Sequence, residues 1–266
     1  MAGGMLASTA LMLHPQPAQA APGDAFEPTD PVVYISQRVP TQLFEARQSD
    51  AGLSFSPAGG PSAFHYNGIA YRASDQYIYA ADKNDEQVAA LVRIGQGGAI
   101  TELGEVAGVP SPWISATFGE VGTAWADTLL VQTADALFQV NVDTLVGTRV
   151  GDTTYTSDIA MAGGFLWAMN EDGIVRIDPD TAATDVFDPP FQTEVSGGAW
   201  TYGNGNLGFS ANYSGTLRQV AVAAPDSTSP TFTLVSAVDG PSSNTNDGTA
   251  ISGVEADLDI TKEAPE

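Results

Sequence analysis

The sequence predicts an all-β fold: a β-propeller of about five four-stranded blades, with six possible, closed by pairing of the N- and C-terminal strands. Three observations lead to this prediction. Short strand-like segments recur in a fixed order, a small residue stands at the centre of each first segment, and no stretch shows convincing helical periodicity. Units of about 40–50 residues with four short strands are typical of propeller blades.

Five segments centred on an alanine are expected to form the innermost strands. They are residues 68–71, 115–117, 158–161, 197–200 and 248–251. Their alanines, from Ala70 to Ala250, recur at a mean spacing of about 45 residues, close to the length of one blade. Because innermost strands crowd around the axis, we expect these small side chains to face the channel.

Three more strand-like segments follow most of these innermost segments. The second strands are expected at 77–80, 129–131, 165–168 and 207–209. The third strands are expected at 91–94, 137–140, 174–177 and 217–220. The fourth, outer strands are expected at 100–103, 146–149, 184–187 and 232–235. Gly, Asn, Asp and Pro between the segments favour tight turns, which supports a chain of hairpins.

The two ends of the repeat region complement each other. Residues 32–35, 41–46 and 53–55 fit a second, third and fourth strand without an innermost one, whereas residues 248–251 fit an innermost strand without a blade. Joined, they make one blade from both chain ends, which closes the ring and removes exposed edges. This pairing gives the count of five blades.

Residues 1–20 are predicted to be a secretory signal peptide. A short apolar stretch from Met5 to Leu13 precedes Ala18-Gln19-Ala20, and it is too short to span a bilayer. No other segment approaches 18 apolar residues, so no membrane insertion is expected. We therefore expect bacterial-type export to the exterior or the cell surface, a propeller over 31–253 and a tail over 254–266.

The composition limits the possible partners and chemistry. With 32 acidic and 9 basic residues, the net charge of −23 disfavours binding to nucleic acid and to anionic lipid. The absence of cysteine excludes disulfides, thiolate metal sites and cysteine nucleophiles. The acidic surface is interpreted as a source of solubility in preference to a trap for cations such as Ca²⁺, because only 15% of the residues are charged. A monomer is expected.

Histidine is too scarce to suggest catalysis. His65 is the only histidine beyond the predicted signal peptide, and no nucleophile-elbow motif surrounds any serine. Zinc and copper sites usually need two or three His or Cys ligands. No catalytic residue is therefore predicted, and no cofactor is expected.

Calcium is the one metal with a candidate motif. Asp82, Asn84 and Glu86 place oxygen ligands at alternate positions, as calcium loops do, because hard cations take about six to eight oxygen ligands. The motif lacks the glycine and the distant bidentate glutamate of an EF-hand. A solvated hairpin loop is therefore the favoured interpretation, and a calcium site is the alternative.

A second candidate site lies where the innermost strands begin. By the repeat, six residues would ring one mouth of the channel: Asn67, Trp113, Ser157, Asp158, Ser196 and Asp247. They would form either a ligand or ion site on the axis or hydrogen bonds that tie neighbouring blades, and the second interpretation is favoured. Of the four tryptophans, Trp113 and Trp125 are expected to be exposed, whereas Trp167 and Trp200 are expected in the core.

Several motifs carry a family resemblance. The residues Tyr66-Asn67-Gly68-Ile69-Ala70-Tyr71, Arg176-Ile177-Asp178-Pro179-Asp180-Thr181 and Gly240-Pro241-Ser242-Ser243-Asn244 occur in this order. The set resembles a family of bacterial extracellular β-propellers of unknown function, over roughly residues 31–253. The tail, residues 256–262, looks like the first strand of an immunoglobulin-like repeat of bacterial surface proteins. The resemblance implies the fold and a surface location, and it provides no catalytic residues.

These observations lead to a functional hypothesis with one main alternative. The first is a secreted or cell-surface, non-catalytic binding or adhesion-like module for an extracellular protein or glycan. The alternative is a calcium-dependent propeller hydrolase or lactonase with the metal ion on the axis. A purely structural head on an adhesin-like stalk is a third interpretation.

Overall fold

The computed structural model describes residues 21–27, 31–49, 52–84 and 87–252. In these ranges, twenty strands form five four-stranded antiparallel sheets, and the helical content is limited to one 3-10 turn, Gln96–Gly98. The prediction of an all-β propeller with five blades is confirmed. The predicted signal peptide and the predicted tail lie outside the described residues.

Each sheet is one blade, numbered here from the N-terminus. Blade 1 contains β1 (Val32–Gln37), β2 (Gln42–Ser49), β3 (Gly52–Pro57) and β20 (Asp247–Ile251). Blade 2 contains β4 (Tyr66–Arg72), β5 (Tyr77–Asp82), β6 (Ala90–Gly95) and β7 (Ala99–Glu105). Blade 3 contains β8 (Ser115–Phe118), β9 (Leu129–Gln132), β10 (Ala136–Asn141) and β11 (Val146–Asp152).

The last two blades follow the same order. Blade 4 contains β12 (Ala160–Ala162), β13 (Phe165–Asn170), β14 (Gly173–Ile177) and β15 (Thr184–Phe187). Blade 5 contains β16 (Ser196–Thr201), β17 (Leu207–Ala211), β18 (Thr216–Ala223) and β19 (Thr231–Asp239). In blades 2 to 5 the chain runs from the innermost strand to the outermost one, as the repeat predicts.

The ring closes in blade 1, where strands from both chain ends pair. β20 is antiparallel to β1, with Val33 opposite Ala250 and Ile35 opposite Gly248. β20 is thus the innermost strand of a sheet whose other three strands come from the N-terminal region. This pairing joins the two ends of the repeat region and leaves the ring of blades without an open end.

Four of the five central alanines of the innermost strands are buried between blades, where a position facing the channel was expected, and the fifth, Ala250, is half-buried. Ala70 and Ala116 are buried in a cluster shared by blades 2 and 3, and Ala160 and Ala199 are buried in one shared by blades 4 and 5. Successive side chains of a strand point to its two faces, and here those faces meet the neighbouring blades. Small side chains are needed because the blades approach one another most closely at the axis.

Large apolar side chains fill the wider parts of these interfaces. Trp167 is fully buried between blades 4 and 5, and its Nε1 donates a hydrogen bond to the Ala162 carbonyl at 2.8 Å. Trp200 is also buried, as expected. The expectation of an exposed Trp113 is wrong, because its side chain packs into the cluster between blades 2 and 3. Trp125 is half-buried.

Arg176 connects the outer parts of two neighbouring blades. The guanidinium of Arg176 stacks over the rings of Phe165 and Phe187 and donates hydrogen bonds to the carbonyls of Pro225 and Ser227. These contacts join blade 4 to the β18–β19 turn of blade 5. None of the helical structure in the described residues is long and apolar enough to cross a membrane.

Candidate functional site

Two aspartates meet at the end of the axis where the innermost strands begin. Asp247, at the start of β20, accepts hydrogen bonds from the backbone amides of Gly68 at 2.6 Å and Ile69 at 3.0 Å. Both amides belong to β4, so this carboxyl group joins blade 1 to blade 2. Its side chain is completely buried. We call this end of the axis the aspartate end.

Asp158 makes the corresponding contacts from blade 4. Its carboxyl group accepts hydrogen bonds from the amides of Ile159 at 2.8 Å, Ala199 at 2.5 Å and Gly248 at 3.3 Å. These donors lie in blades 4, 5 and 1. The carboxyl groups of Asp158 and Asp247 therefore connect four of the five blades through five backbone amides.

Irregularities in two innermost strands make this arrangement possible. The pairing of β4 with β5 shifts register between Asn67 and Ala70, and that of β16 with β17 shifts between Ser196 and Gly198. A bulge turns successive amides out of the regular ladder, so they are free to donate elsewhere. Gly68 has a φ of 65°, a conformation that other residues adopt only with strain.

The two carboxyl groups are coupled by their closeness and burial. Burial raises the pKa of Asp247 to about 8, although its hydrogen bonds to backbone amides and to Asp158 act in the opposite direction. Burial and repulsion by Asp247 hold the pKa of Asp158 well above its usual range. Burial therefore favours the protonated form of the pair over the form with two negative charges.

The other four residues of the predicted ring have different environments. Asn67 is half-buried, and its Nδ2 donates a hydrogen bond to the Ile114 carbonyl of blade 3 at 2.7 Å. Ser196 is buried, Ser157 is half-buried, and Trp113 belongs to the apolar core. The structure thus brings Asp158 and Asp247 together, and their contacts and that of Asn67 support the interpretation as ties between blades. Ligand binding by this ring stays a prediction.

The predicted calcium loop forms a turn beside this end. Asp82 Oδ1 accepts hydrogen bonds from Asn84 N at 2.8 Å and Asn84 Nδ2 at 2.7 Å, and Asn84 Oδ1 accepts one from His65 N at 3.1 Å. Glu86 lies outside the described residues. Within the part of the chain that the structure describes, no group of three or more His, Cys, Asp or Glu side chains is placed to hold a metal ion. Calcium binding stays a prediction.

A cup of about 540 Å³ opens at the opposite end, where the innermost strands finish. The cup is lined by Tyr71, Ala73, Thr117, Phe118, Gly119, Glu120, Val121, Met161, Ala199, Trp200, Thr201, Tyr202, Gly203, Gly205, Thr249, Ala250, Ile251 and Ser252. His65 begins the approach to β4 and Tyr71 lies near its end, so about 20 Å of strand separates the histidine from the cup.

Close packing positions the aromatic part of the cup. A Cβ added at Gly208 would overlap the indole of Trp200, and one added at Gly248 would lie 2.7 Å from its Cε3. The indole therefore occupies space that only glycines leave free. Its ring meets that of Tyr202 edge to face at 5.8 Å between centroids. This contact fixes two aromatic residues of one wall.

Threonine hydroxyls join the strand ends around the cup. Thr249 Oγ1 accepts a hydrogen bond from Tyr71 N at 3.0 Å, which links blades 1 and 2. Thr201 Oγ1 donates one to the Met161 carbonyl at 2.6 Å, which links blades 5 and 4. Strands contribute ten of the eighteen lining residues, and loops contribute the other eight.

The lip of the cup is fixed by a carboxylate. Glu120, in the loop after β8, accepts hydrogen bonds from the amides of Gly163 at 3.0 Å and Gly164 at 3.1 Å in the β12–β13 turn. The next residue, Val121, is 78% exposed. Glu120 is the charged member of the lining set, and no Lys, Arg or His belongs to that set within the described chain.

The sequence did not reveal this cup. Its lining is drawn from the ends of all five innermost strands, and the contributing positions are separated by about one blade length. Phe118-Gly119-Glu120-Val121 and Trp200-Thr201-Tyr202 are the two local signals, since each combines an aromatic residue with the end of an innermost strand.

Comparisons with known proteins agree with the fold. A chain in the crystal structure of a nidogen/laminin complex superimposes with a TM-score of 0.51 at 11% identity, covering 85% of this chain and all of that one. A structural-genomics protein of unknown function from Bacteroides thetaiotaomicron has a TM-score of 0.52 at 14% identity, with 80% of this chain and 60% of that chain covered. At such identities the likeness concerns the fold alone.

The sequence comparisons identify a family. Among curated protein sequences no match is found. The model of a family described as a repeat of unknown function (DUF6923) matches residues 34–253. That match covers well over half of the sequence, so the chain belongs to this family.

Proposed function

We propose that this protein is an exported, non-catalytic binding module and that the cup at the ends of the innermost strands is its ligand site. The observation that carries the proposal is the cup itself. Its volume of about 540 Å³ lies within the range of about 300–1,000 Å³ that small-molecule and side-chain pockets occupy. Its walls combine aromatic rings with hydroxyl groups, which suits a ligand that is partly apolar.

The contrast with the aspartate end supports this choice. There, the carboxyl groups of Asp158 and Asp247 already accept the hydrogen bonds of the nearby amides, and both side chains are completely buried. A ligand would have to displace these bonds. At the cup, Thr117 and Tyr202 are half-buried lining residues, so a ligand could meet them without breaking the contacts between blades.

The fold and the predicted signal peptide both support an extracellular binding role. A propeller of similar fold occurs in the nidogen/laminin complex, where it forms part of a protein assembly. The predicted signal peptide supports export. Fusing residues 1–27 to a reporter enzyme that is active only after export tests this part, and a fusion beginning at Ala21 is the control. Equal reporter activity in both fusions would contradict export.

The ligand site is tested with a fragment library observed by ligand-detected NMR. Thr117→Trp would fill part of the cup, and Thr148→Trp on the exposed face of β11 is the matched control. We expect fragments that bind the wild type and the control but lose at least tenfold in affinity for Thr117→Trp. Circular dichroism checks that both variants fold. Binding that is unaffected by Thr117→Trp would overturn the assignment of the cup.

A further inference from the structure

We propose that the cup selects ligands that carry a positive charge on an apolar body, such as an aromatic or aliphatic ammonium group. This inference rests on the proposed function and adds the chemical class of the ligand. It is carried by the distribution of charge around the cup and by the side chains that form its walls.

The charge lining the cup is negative. Glu120 contributes a carboxylate to the lip, and no cationic side chain lines the cup in the described residues. Each carboxylate oxygen of Glu120 accepts one hydrogen bond from a backbone amide, at 3.0 Å from Gly163 and at 3.1 Å from Gly164. A carboxylate has about four lone-pair positions, so two remain for an ammonium donor.

The guanidinium nearest along the chain does not offset this charge. Arg72 follows the lining residue Tyr71, and its guanidinium lies 3.4 Å from Asp75, 3.1 Å from Asp127 and 3.0 Å from Asp143. Three carboxylates around one cation leave this cluster with a net negative charge. Arg72 is therefore fully committed and is not available to bind an anionic ligand.

The whole molecule reinforces the local field. Its net charge is −23, which attracts cations and repels anions over several ångströms from the surface. An anion at the cup would meet this field without a cationic side chain to stabilise it. The amides of Gly163 and Gly164, which would otherwise bind an anion, donate to Glu120.

The walls supply the surface for an apolar body. Tyr71 and Tyr202 line the cup and are half-buried. Phe118, Met161 and Trp200 also line it, with most of their surface buried against the blades. Aromatic rings attract cations through their electron-rich faces as well as packing against apolar groups. A ligand with both features would therefore use the two kinds of surface at once.

The test compares three probes of the same size: 2-phenylethylammonium, 2-phenylethanol and phenylacetate. Isothermal titration calorimetry measures their affinities for the wild-type protein at low salt. We expect the ammonium to bind at least tenfold more tightly than the alcohol, and phenylacetate to bind most weakly. Raising the salt concentration from about 20 to 500 mM should weaken the ammonium severalfold and leave the alcohol unchanged.

A charge-removing variant assigns the preference to the lip. Glu120→Gln should reduce the preference for the ammonium over the alcohol to less than threefold. Glu105→Gln, on the exposed outer strand β7, is the control and should keep the wild-type preference. The salt series uses only the wild-type protein. It therefore tests the preference for a charged ligand even if Glu120→Gln disturbs the lip.

The outcomes separate this inference from the proposed function. Equal affinities for the three probes, all lost in Thr117→Trp, would overturn the charge selectivity and leave the cup as the ligand site. Tighter binding of phenylacetate than of 2-phenylethylammonium would also overturn the charge selectivity and leave the cup as the ligand site. Failure of every probe to bind, or binding that Thr117→Trp does not reduce, would count against the cup itself and thus against both proposals.

Discussion

The two ends of the propeller axis are built from the same five innermost strands, yet one is closed and the other is open. At the aspartate end, five backbone amides converge on the carboxyl groups of Asp158 and Asp247. At the other end, the strands finish around a cup of about 540 Å³. The carboxyl groups of Asp158 and Asp247 occupy the first end, whereas among the described residues no side chain occupies the second.

This difference assigns a structural role to the aspartate end and leaves the cup for the proposed binding role. Buried amides without partners are costly, so the bulges at the aspartate end require acceptors, and the two aspartates provide them. At the cup, Thr201 and Thr249 make hydrogen bonds that join neighbouring strand ends, and among the described residues the space between those ends is free.

Removing one buried carboxyl group should damage the closed end most. In Asp247→Ala, the amides of Gly68 and Ile69 lose their acceptors inside the protein. We expect the free energy of unfolding, measured by urea denaturation, to fall by about 3 kcal/mol or more. Asp239→Ala, at an exposed position of β19, should change it by less than about 0.5 kcal/mol. Equal losses in the two variants would contradict the structural role of Asp247.

Overpacking beneath the cup should destabilise the protein without touching the aspartates. In Gly208→Ala the new Cβ would overlap the Trp200 indole, so we expect a loss of about 1–3 kcal/mol. Gly60→Ala is the matched control, because its Cβ would meet no atom within 4 Å. The same denaturation experiment measures both, and a stability equal to the control would show that the indole is not held in this position.

The stability should fall as the pH rises above the acidic range. The folded pKa of Asp247 is about 8, above the ordinary 3.8, so folding stabilises the protonated form. The contribution is fully present below about pH 4 and is lost as the pH rises toward 8, by at most about 1.4 kcal/mol per pH unit for each proton. Urea denaturation from pH 5 to 9 measures the slope, and Asp247→Asn should flatten it.

At acidic pH, the loss of exposed ion pairs should lower the free energy of unfolding. Hydrogen bonding to Arg72 lowers the pKa of Asp143, so this contribution is present at neutral pH and is lost as the pH falls below about 4. If the pH series is extended to about pH 2, the stability should therefore show a maximum on the acidic side of neutrality. A stability that rises steadily from pH 5 to 9 would contradict the raised pKa values of the buried pair.

Loosening the lip should have the smallest effect on stability. Glu120→Ala removes the acceptor for the amides of Gly163 and Gly164, but the loop is partly exposed, so we expect a loss of less than about 1 kcal/mol. Hydrogen exchange should accelerate at those two amides. The amide of Gly205, which donates to the Tyr202 carbonyl, is the internal reference. Unchanged exchange at Gly163 and Gly164 would show that Glu120 does not hold the lip.

Much of the fold was predictable because the strand signals are local and repeated. The spacing from Ala70 to Ala250 predicted the blades, and the unmatched segments at the chain ends predicted the pairing of β20 with β1. The expectation that the alanines face the channel was wrong for Ala70, Ala116 and Ala160, because a period of two gives the two faces of a strand but not which neighbour each face meets. The expected exposure of Trp113 was wrong because the irregular segment before β8 packs into the core between blades 2 and 3.

The candidate site was predictable only in part. The repeat placed Asp158 and Asp247 at the same end of the axis, but it did not show that they accept hydrogen bonds from other blades or that they share a buried environment. The cup was missed because Glu120, Trp200 and Thr249 belong to three different blades and form no motif in the sequence.

The sequence alone determined that this protein is a ring of short hairpins, because alternating apolar residues and turn residues act over a few positions and recur in every blade. Only the tertiary structure decided that one end of the axis is closed and the other is open. That outcome depends on contacts between residues 40 or more positions apart, which are set by how closely the five blades pack around the axis.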